Sequence, residues 1–102
     1  MQHDVFANPN RQARSAYPLI VVLQADIAGG ENRIVAPLAP RFNFPASLPR
    51  SRPVVEHDGQ AYVAILTLLG SLPVRLLRHA IGSIRQHQDD LTRALDWLLW
   101  GV

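Results

Sequence analysis

Leu19-Ile-Val-Val-Leu-Gln-Ala25 is the segment that most limits what this chain can fold into. Ile20, Val21 and Val22 are β-branched in succession, and such side chains favour a pleated, extended backbone. The run does not alternate with polar residues, so it reads as a strand buried on both faces. Its neighbours extend the pattern. His3–Ala7 reads as a first strand, and the Gly pair within Ala28–Asn32 as a turn, because glycine accepts positive φ. Arg33–Ala36 reads as a short further strand. Residues 37–53 hold five prolines (Pro37, Pro40, Pro45, Pro49 and Pro53), and proline lacks the N–H that a central strand needs. That stretch is expected to leave the core ladder. Val54–His57 and Gln60–Leu66 flank Asp58-Gly59, which predicts a hairpin with a type I′ turn. The polar, proline-containing stretch Asn8–Ala16 reads as a mobile loop.

The last third is helical in pattern. Ser71 is placed to cap a short helix with Pro73 in its first turn, which Gly82 would interrupt. A second helix is expected over Ile84–Leu99. With 102 residues and no repeat or low-complexity tract, residues 1–102 are expected to form one domain.

Composition narrows the function classes. There is no cysteine, which excludes disulfides and thiolate metal sites. The start, Met1-Gln2-His3-Asp4, lacks the basic and apolar regions of a secretion signal. No stretch approaches the roughly 20 apolar residues of a membrane span, so a cytoplasmic location is expected. The pI of about 9.9 suggests a nucleic-acid binder. All ten basic residues are arginine, however, so a net charge of only +2 persists to high pH. The arginines are scattered, and binding of nucleic acid through a basic patch is disfavoured.

On a 3.6-residue wheel, Ile84, Leu91, Leu95, Leu98 and, if the helix continued, Val102 form one stripe, the core-facing side. Arg93, Asp96, Trp97 and Trp100 fall opposite. Two tryptophans on the polar face of a helix either cover a neighbouring element or form an interaction surface, and tryptophan dominates binding hot spots. Gly101 is suited to end the helix in a left-handed conformation, which would present Trp100 and the terminal carboxylate together at a tip.

At this point the sequence resembles the CcdB family, toxins of plasmid-addiction modules. The resemblance rests on an ordered set that spans nearly the whole chain. It comprises Met1-Gln2 with Val5, Leu19 with Val21, Gln24-Ala25-Asp26-Ile27, Pro37-Leu38-Ala39, Pro53-Val54-Val55, Ser71-Leu72-Pro73-Val74 and Leu99-Trp100-Gly101-Val102. It implies a mainly β fold, an SH3-like barrel with a small extra sheet and a C-terminal α-helix, assembled as a homodimer. It also implies a non-catalytic protein that binds the DNA gyrase A subunit, traps gyrase on cleaved DNA, and is neutralised by a cognate antitoxin. The family's Trp-Gly-Ile ending maps to Trp100, Gly101 and Val102, and the first residue of its isoleucine pair to Ile27. The sequence departs at Ala28 for the second isoleucine, Asp96 for an asparagine and Leu99 for a phenylalanine. In the family the loop corresponding to Asn8–Ala16 takes part in antitoxin recognition, which here brings forward Arg11 and Arg14 as grips for acidic groups.

Other chemistry finds little footing. His3, His57, His79 and His87 lack metal-ligand spacing, Ser71, Ser83 and Thr92 lack a nucleophile motif, and no cofactor is implied. Asp89 and Asp90 read as compensation of the helix dipole. The rival from another class is a messenger-RNA-cleaving toxin of the same barrel, which fold alone does not exclude, and a family member with a changed or lost target is the further alternative.

Overall fold

In the computed structural model, which describes residues 1–102, the apolar run forms β2 (Leu19–Val22), and all four of its residues are buried. β1 (Asp4–Ala7) pairs antiparallel on one side, with Val5 opposite Val21 and Phe6 opposite Ile20. β3 (Asn32–Pro40) pairs on the other, with Val21 opposite Ala36 and Val22 opposite Val35. β2 is shorter than the expected Leu19–Ala25. The chain turns away after Val22, and the Leu23 and Gln24 N–H groups both donate to Ile34 C=O, at 2.9 and 3.4 Å.

β3 corrects the sequence expectation. It runs for nine residues rather than Arg33–Ala36, so the proline-rich stretch begins inside the ladder. The position of Pro37 explains its tolerance. Its C=O accepts from Ile65 N–H at 3.0 Å, and the N–H and C=O of one strand residue face the same side. The missing donor therefore faces the junction between two partners of β3. There β6 (Gly70–Pro73), paired with Asn32–Val35, gives way to β5 (Gln60–Ala64), paired with Leu38–Pro40. The carbonyl that an N–H at residue 37 would have met, Ile65 C=O, accepts instead from Leu68 N–H at 3.0 Å.

β4 (Val54–His57) adds to β5 through the expected hairpin, with both turn residues at positive φ, Asp58 at 52° and Gly59 at 77°. The sheet runs β4-β5-β3-β2-β1-β7, with β7 (Gly82–Ser83) on the far edge and β6 on the first half of β3. It curls into a nearly closed barrel, mainly β, with the second half of β3, β5 and β4 as the smaller sheet and one C-terminal helix, α1 (Gln88–Trp100).

Both faces of the central strands carry a core. Val5, Leu19, Val21, Ala36 and Leu38 pack with Val55, Tyr62 and Ala64 of the hairpin, and with Leu66, Ile84, Leu91 and Ala94. Phe6, Ile20, Val22 and Val35 meet Leu77, with Met1 and Leu72 at the margin. Each fully buried aliphatic side chain contributes roughly 1.5–3 kcal/mol, so the helix is held chiefly by Leu91 and its flanking Leu95 and Leu98.

The stretch from Ser71 to Gly82 differs from expectation. Ser71 caps no helix; it lies in β6, opposite Ile34. The first half of β3 would otherwise leave a row of open backbone groups, and satisfying them outweighs a local capping preference. A single 3-10 turn, Val74–Leu76, follows. Gly82 interrupts no helix either. It pairs with Val5, and a Cβ at this position would stand 2.7 Å from His57 Nδ1, so the imidazole of the hairpin occupies the space a side chain would need. The final helix starts later than Ile84, after a 3-10 turn at Arg85–His87. Asp89 and Asp90 stand in its first turn, as the dipole argument requires. His87 Nε2 accepts from Glu56 N–H at 3.0 Å, tying the start of α1 to the edge of β4.

Gly82→Ala is expected to cost about 1–3 kcal/mol by overpacking, and adding His57→Ala should recover most of that loss. Urea unfolding of the single and double variants measures both; equal stability of Gly82→Ala and the parent would show that the ring swings aside freely.

Candidate functional site

The inward demand of the core decides what α1 presents outward. Leu91 and Ala94 are buried, and Leu95 and Leu98 are partly buried against the core. The remaining apolar residues of the last turns have nowhere to go. Trp100 is 74% exposed, Leu99 is exposed, and Val102 is 88% exposed. Gly101 ends the helix at φ 74° and ψ 18°, the left-handed conformation, and its N–H donates to Trp97 C=O at 2.9 Å. Glycine takes this conformation without the Cβ penalty. The turn directs Val102 back along the helix, where it lines a groove with Trp97 and Asp96.

That groove has a volume of about 590 Å³ and runs between α1 and the segment Arg50–Val54. The Arg50 guanidinium sits 4.5 Å from the centre of the Trp97 ring, an attraction worth roughly 0.5–1 kcal/mol at an accessible site. The two tryptophans are therefore unequal. Trp97, 40% exposed, already has a cationic cover from its own chain, whereas Trp100 has none. Asp96 is exposed on the same face, close to the negative end of the helix dipole, and the last turn contains no basic residue. The tip is an apolar surface in a negative field.

Ile27 belongs to a different element, the 3-10 turn Asp26–Ala28 after β2, and is 98% exposed. The turn beneath it is firmly built. Asp26 Oδ1 accepts from Gln2 N–H at 3.0 Å, and Oδ2 from the Met1 amino group at 3.3 Å. The Gln24 side chain bridges the loop, donating to Gly29 C=O at 2.8 Å and accepting from Ile34 N–H at 3.2 Å. Hydrogen bonding from the Gln2 N–H, with the amino group second, holds the Asp26 carboxyl below the ordinary carboxylate range.

The Asn8–Ala16 loop is organised at its neck. Asn8 is buried; its side chain donates to Tyr17 C=O at 2.9 Å and accepts from Asn10 N–H at the same distance. Asn10 in turn caps a 3-10 turn at Arg11–Ala13. Arg14 donates through Nε to Asn8 C=O, and Arg11 is exposed.

A family model described as CcdB protein matches residues 2–101. The chain belongs to the CcdB family. Membership supports a toxin of a toxin–antitoxin module. No curated protein matches the chain, and no helix is long and apolar enough to cross a membrane.

The residues singled out from the sequence fall into three places in this CcdB-family fold. Trp100, Gly101, Val102, Leu99 and Asp96 gather at the end of α1, Ile27 stands on the turn after β2, and Arg11 and Arg14 lie on the loop after β1. The groove that includes Asp96 and Val102 does not include Ile27. Arg50 was not legible as part of the tip. Nothing in the proline-rich stretch marks it, and only the packing of that stretch against α1 places it over Trp97.

Asp26 also generates a pH dependence. A carboxyl whose pKa is lowered by folding adds stability that is present above its unfolded value, near 4, and lost as pH falls through the lower folded value. Asp26→Asn is thus expected to be less stable than the parent at neutral pH, with the gap closing below about pH 4. Urea midpoints across that range measure it, and a gap unchanged into strong acid would remove the carboxylate from the account.

Proposed function

We propose that residues 1–102 act as one non-catalytic toxin unit that binds the DNA gyrase A subunit and traps the enzyme on cleaved DNA. The observation that carries this reading is the Trp100 indole, largely exposed beside Leu99 and Val102 at the end of a helix whose core stripe is already satisfied. Burying such a side chain against a partner returns roughly 1.5–3 kcal/mol. A cationic group placed over its face adds about 0.5–2 kcal/mol, and the negative field of the helix end favours an arginine from the partner.

Gly101 and Val102 complete the tip, and Ile27 supplies a second apolar contact on its braced turn. Asp96 and Leu99, where the family's pattern has Asn and Phe, stand within the same surface and tune it. The working form is a homodimer, which sets two tips about one axis and suits a two-fold target. A cognate antitoxin neutralises the toxin, with Arg11 and Arg14 holding its acidic groups. The site of action is the cytoplasm, where gyrase and DNA meet.

The test is gyrase-linked DNA cleavage in vitro. The parent protein should accumulate cleaved DNA. Trp100→Ala should reduce this by about 30-fold or more, the equivalent of at least 2 kcal/mol, with unchanged thermal unfolding because the ring contributes little to the core. RNA degradation without gyrase, insensitive to Trp100→Ala, would establish the ribonuclease reading instead.

A further inference from the structure

The end of α1 has little of its own to keep it formed. Its last turn contains no basic residue, and Asp96 adds a negative charge where the helix dipole is already negative. Leu98 is the last side chain packed against the core, while Leu99, Trp100 and Val102 are exposed. A terminus of this kind frays, because few contacts oppose its opening. The bond that closes it runs from Gly101 N–H to Trp97 C=O, at 2.9 Å. How firmly Trp97 is held therefore decides how firmly the three residues beyond it are held.

Arg50 reaches Trp97 from outside the helix, with its guanidinium 4.5 Å from the ring centre. Its charge is not spent elsewhere: of the ten arginines only Arg93 lies within ion-pair distance of a carboxylate side chain, that of Asp90 at 3.9 Å. An independent observation concerns the backbone that carries Arg50. Ser51 C=O accepts from Leu66 N–H at 3.3 Å, Pro53 C=O from Ala64 N–H at 2.9 Å, and Pro49 C=O from Arg52 N–H at 3.0 Å. Ala64 and Leu66 are fully buried. The segment on either side of Arg50 is thus tied down, and its C-terminal side is bonded directly to the core. A guanidinium mounted this way passes the rigidity of the barrel to the last turn of α1.

We infer that Arg50 is a positioning residue: it pins Trp97 and so keeps the Gly101-capped tip formed, with Trp100 preset for a partner. Arg50 acts here through Trp97. The attraction is between a positive charge and the negative face of the ring, so a lysine can replace the arginine and an apolar chain of similar length cannot. Fraying lowers the fraction of molecules whose tip is ready, and apparent affinity falls with that fraction. The consequence for cleavage rests on the gyrase reading; the contact and the cap do not.

The experiment measures exchange of the Gly101 amide by NMR in the full chain, with no partner present. Exchange should quicken about two- to fivefold in Arg50→Ala and Arg50→Met, and return close to the parental rate in Arg50→Lys. Arg50→Glu, which sets a like charge beside the same groove as Asp96, should exceed both. Thermal unfolding should be unmoved, because Arg50 is exposed. In the cleavage assay, Arg50→Ala should raise the half-maximal concentration by no more than the same factor. The plateau should be unchanged, since Trp100 is intact. Equal exchange in the parent and Arg50→Ala would overturn the inference. An Arg50→Met protein that matches the parent would do the same, by making the contact one of packing alone. Faster exchange with an unmoved half-maximal concentration would end the positioning role. A parent that accumulates no cleaved DNA would strike the gyrase reading and leave the exchange rates to decide this one.

Discussion

Two-sided burial of β2 is the constraint from which the rest of the molecule follows. Leu19 and Val21 face one way and Ile20 and Val22 the other, and all four are buried. A curled sheet with both surfaces apolar needs cover on each. The hairpin β4–β5 and α1 cover one surface; Leu77, Met1 and Leu72 cover the other. Because α1 must give Leu91, Ala94, Leu95 and Leu98 to that cover, its opposite side is left with Trp97 and Trp100. The exposed indole is a consequence of how the core is closed.

β3 makes the closure possible by serving two sets of partners. Its first half pairs with β6 and its second with β5, while β2 runs along its other edge. The change of partner falls at Pro37, where a missing donor costs nothing. A proline in mid-strand is normally evidence against a central strand. Here it marks the seam between the main curved sheet and the smaller one, and the same seam brings the proline-rich stretch round to α1, where Arg50 reaches Trp97.

Exposed apolar residues at Ile27 and Trp100 are mounted differently. Ile27 rides on a turn braced from beneath by the side-chain hydrogen bonds of Asp26 and Gln24. Trp100 rides on the last turn of a helix ended by Gly101. In both cases the backbone is fixed while the side chain stays in water, so little ordering entropy is left for a partner to overcome. Trp97 lacks that character because Arg50 already covers it.

The strands around residues 5, 21 and 55–63 and the type I′ turn at Asp58-Gly59 were legible in the sequence because their signals are local: β-branched runs and a dipeptide that tolerates positive φ. The outward setting of Trp100 and the left-handed Gly101 were legible for the same reason, from helical periodicity and glycine's missing Cβ. The helix expected at Ser71, the break expected at Gly82 and the early end expected for β3 were read from equally local rules, and those rules lost. Ser71 was drawn into a strand by open backbone groups far away in sequence, at Asn32–Val35. Gly82 is glycine because the His57 ring lies against it, and Pro37 is tolerated because of which neighbour it faces. The sequence by itself determined which segments seek burial and which residues end a helix or a hairpin, since both depend on side-chain chemistry within a few positions. Tertiary structure alone decided which backbone groups remained to be paired and which surfaces met, because those depend on residues tens of positions apart arriving at one place.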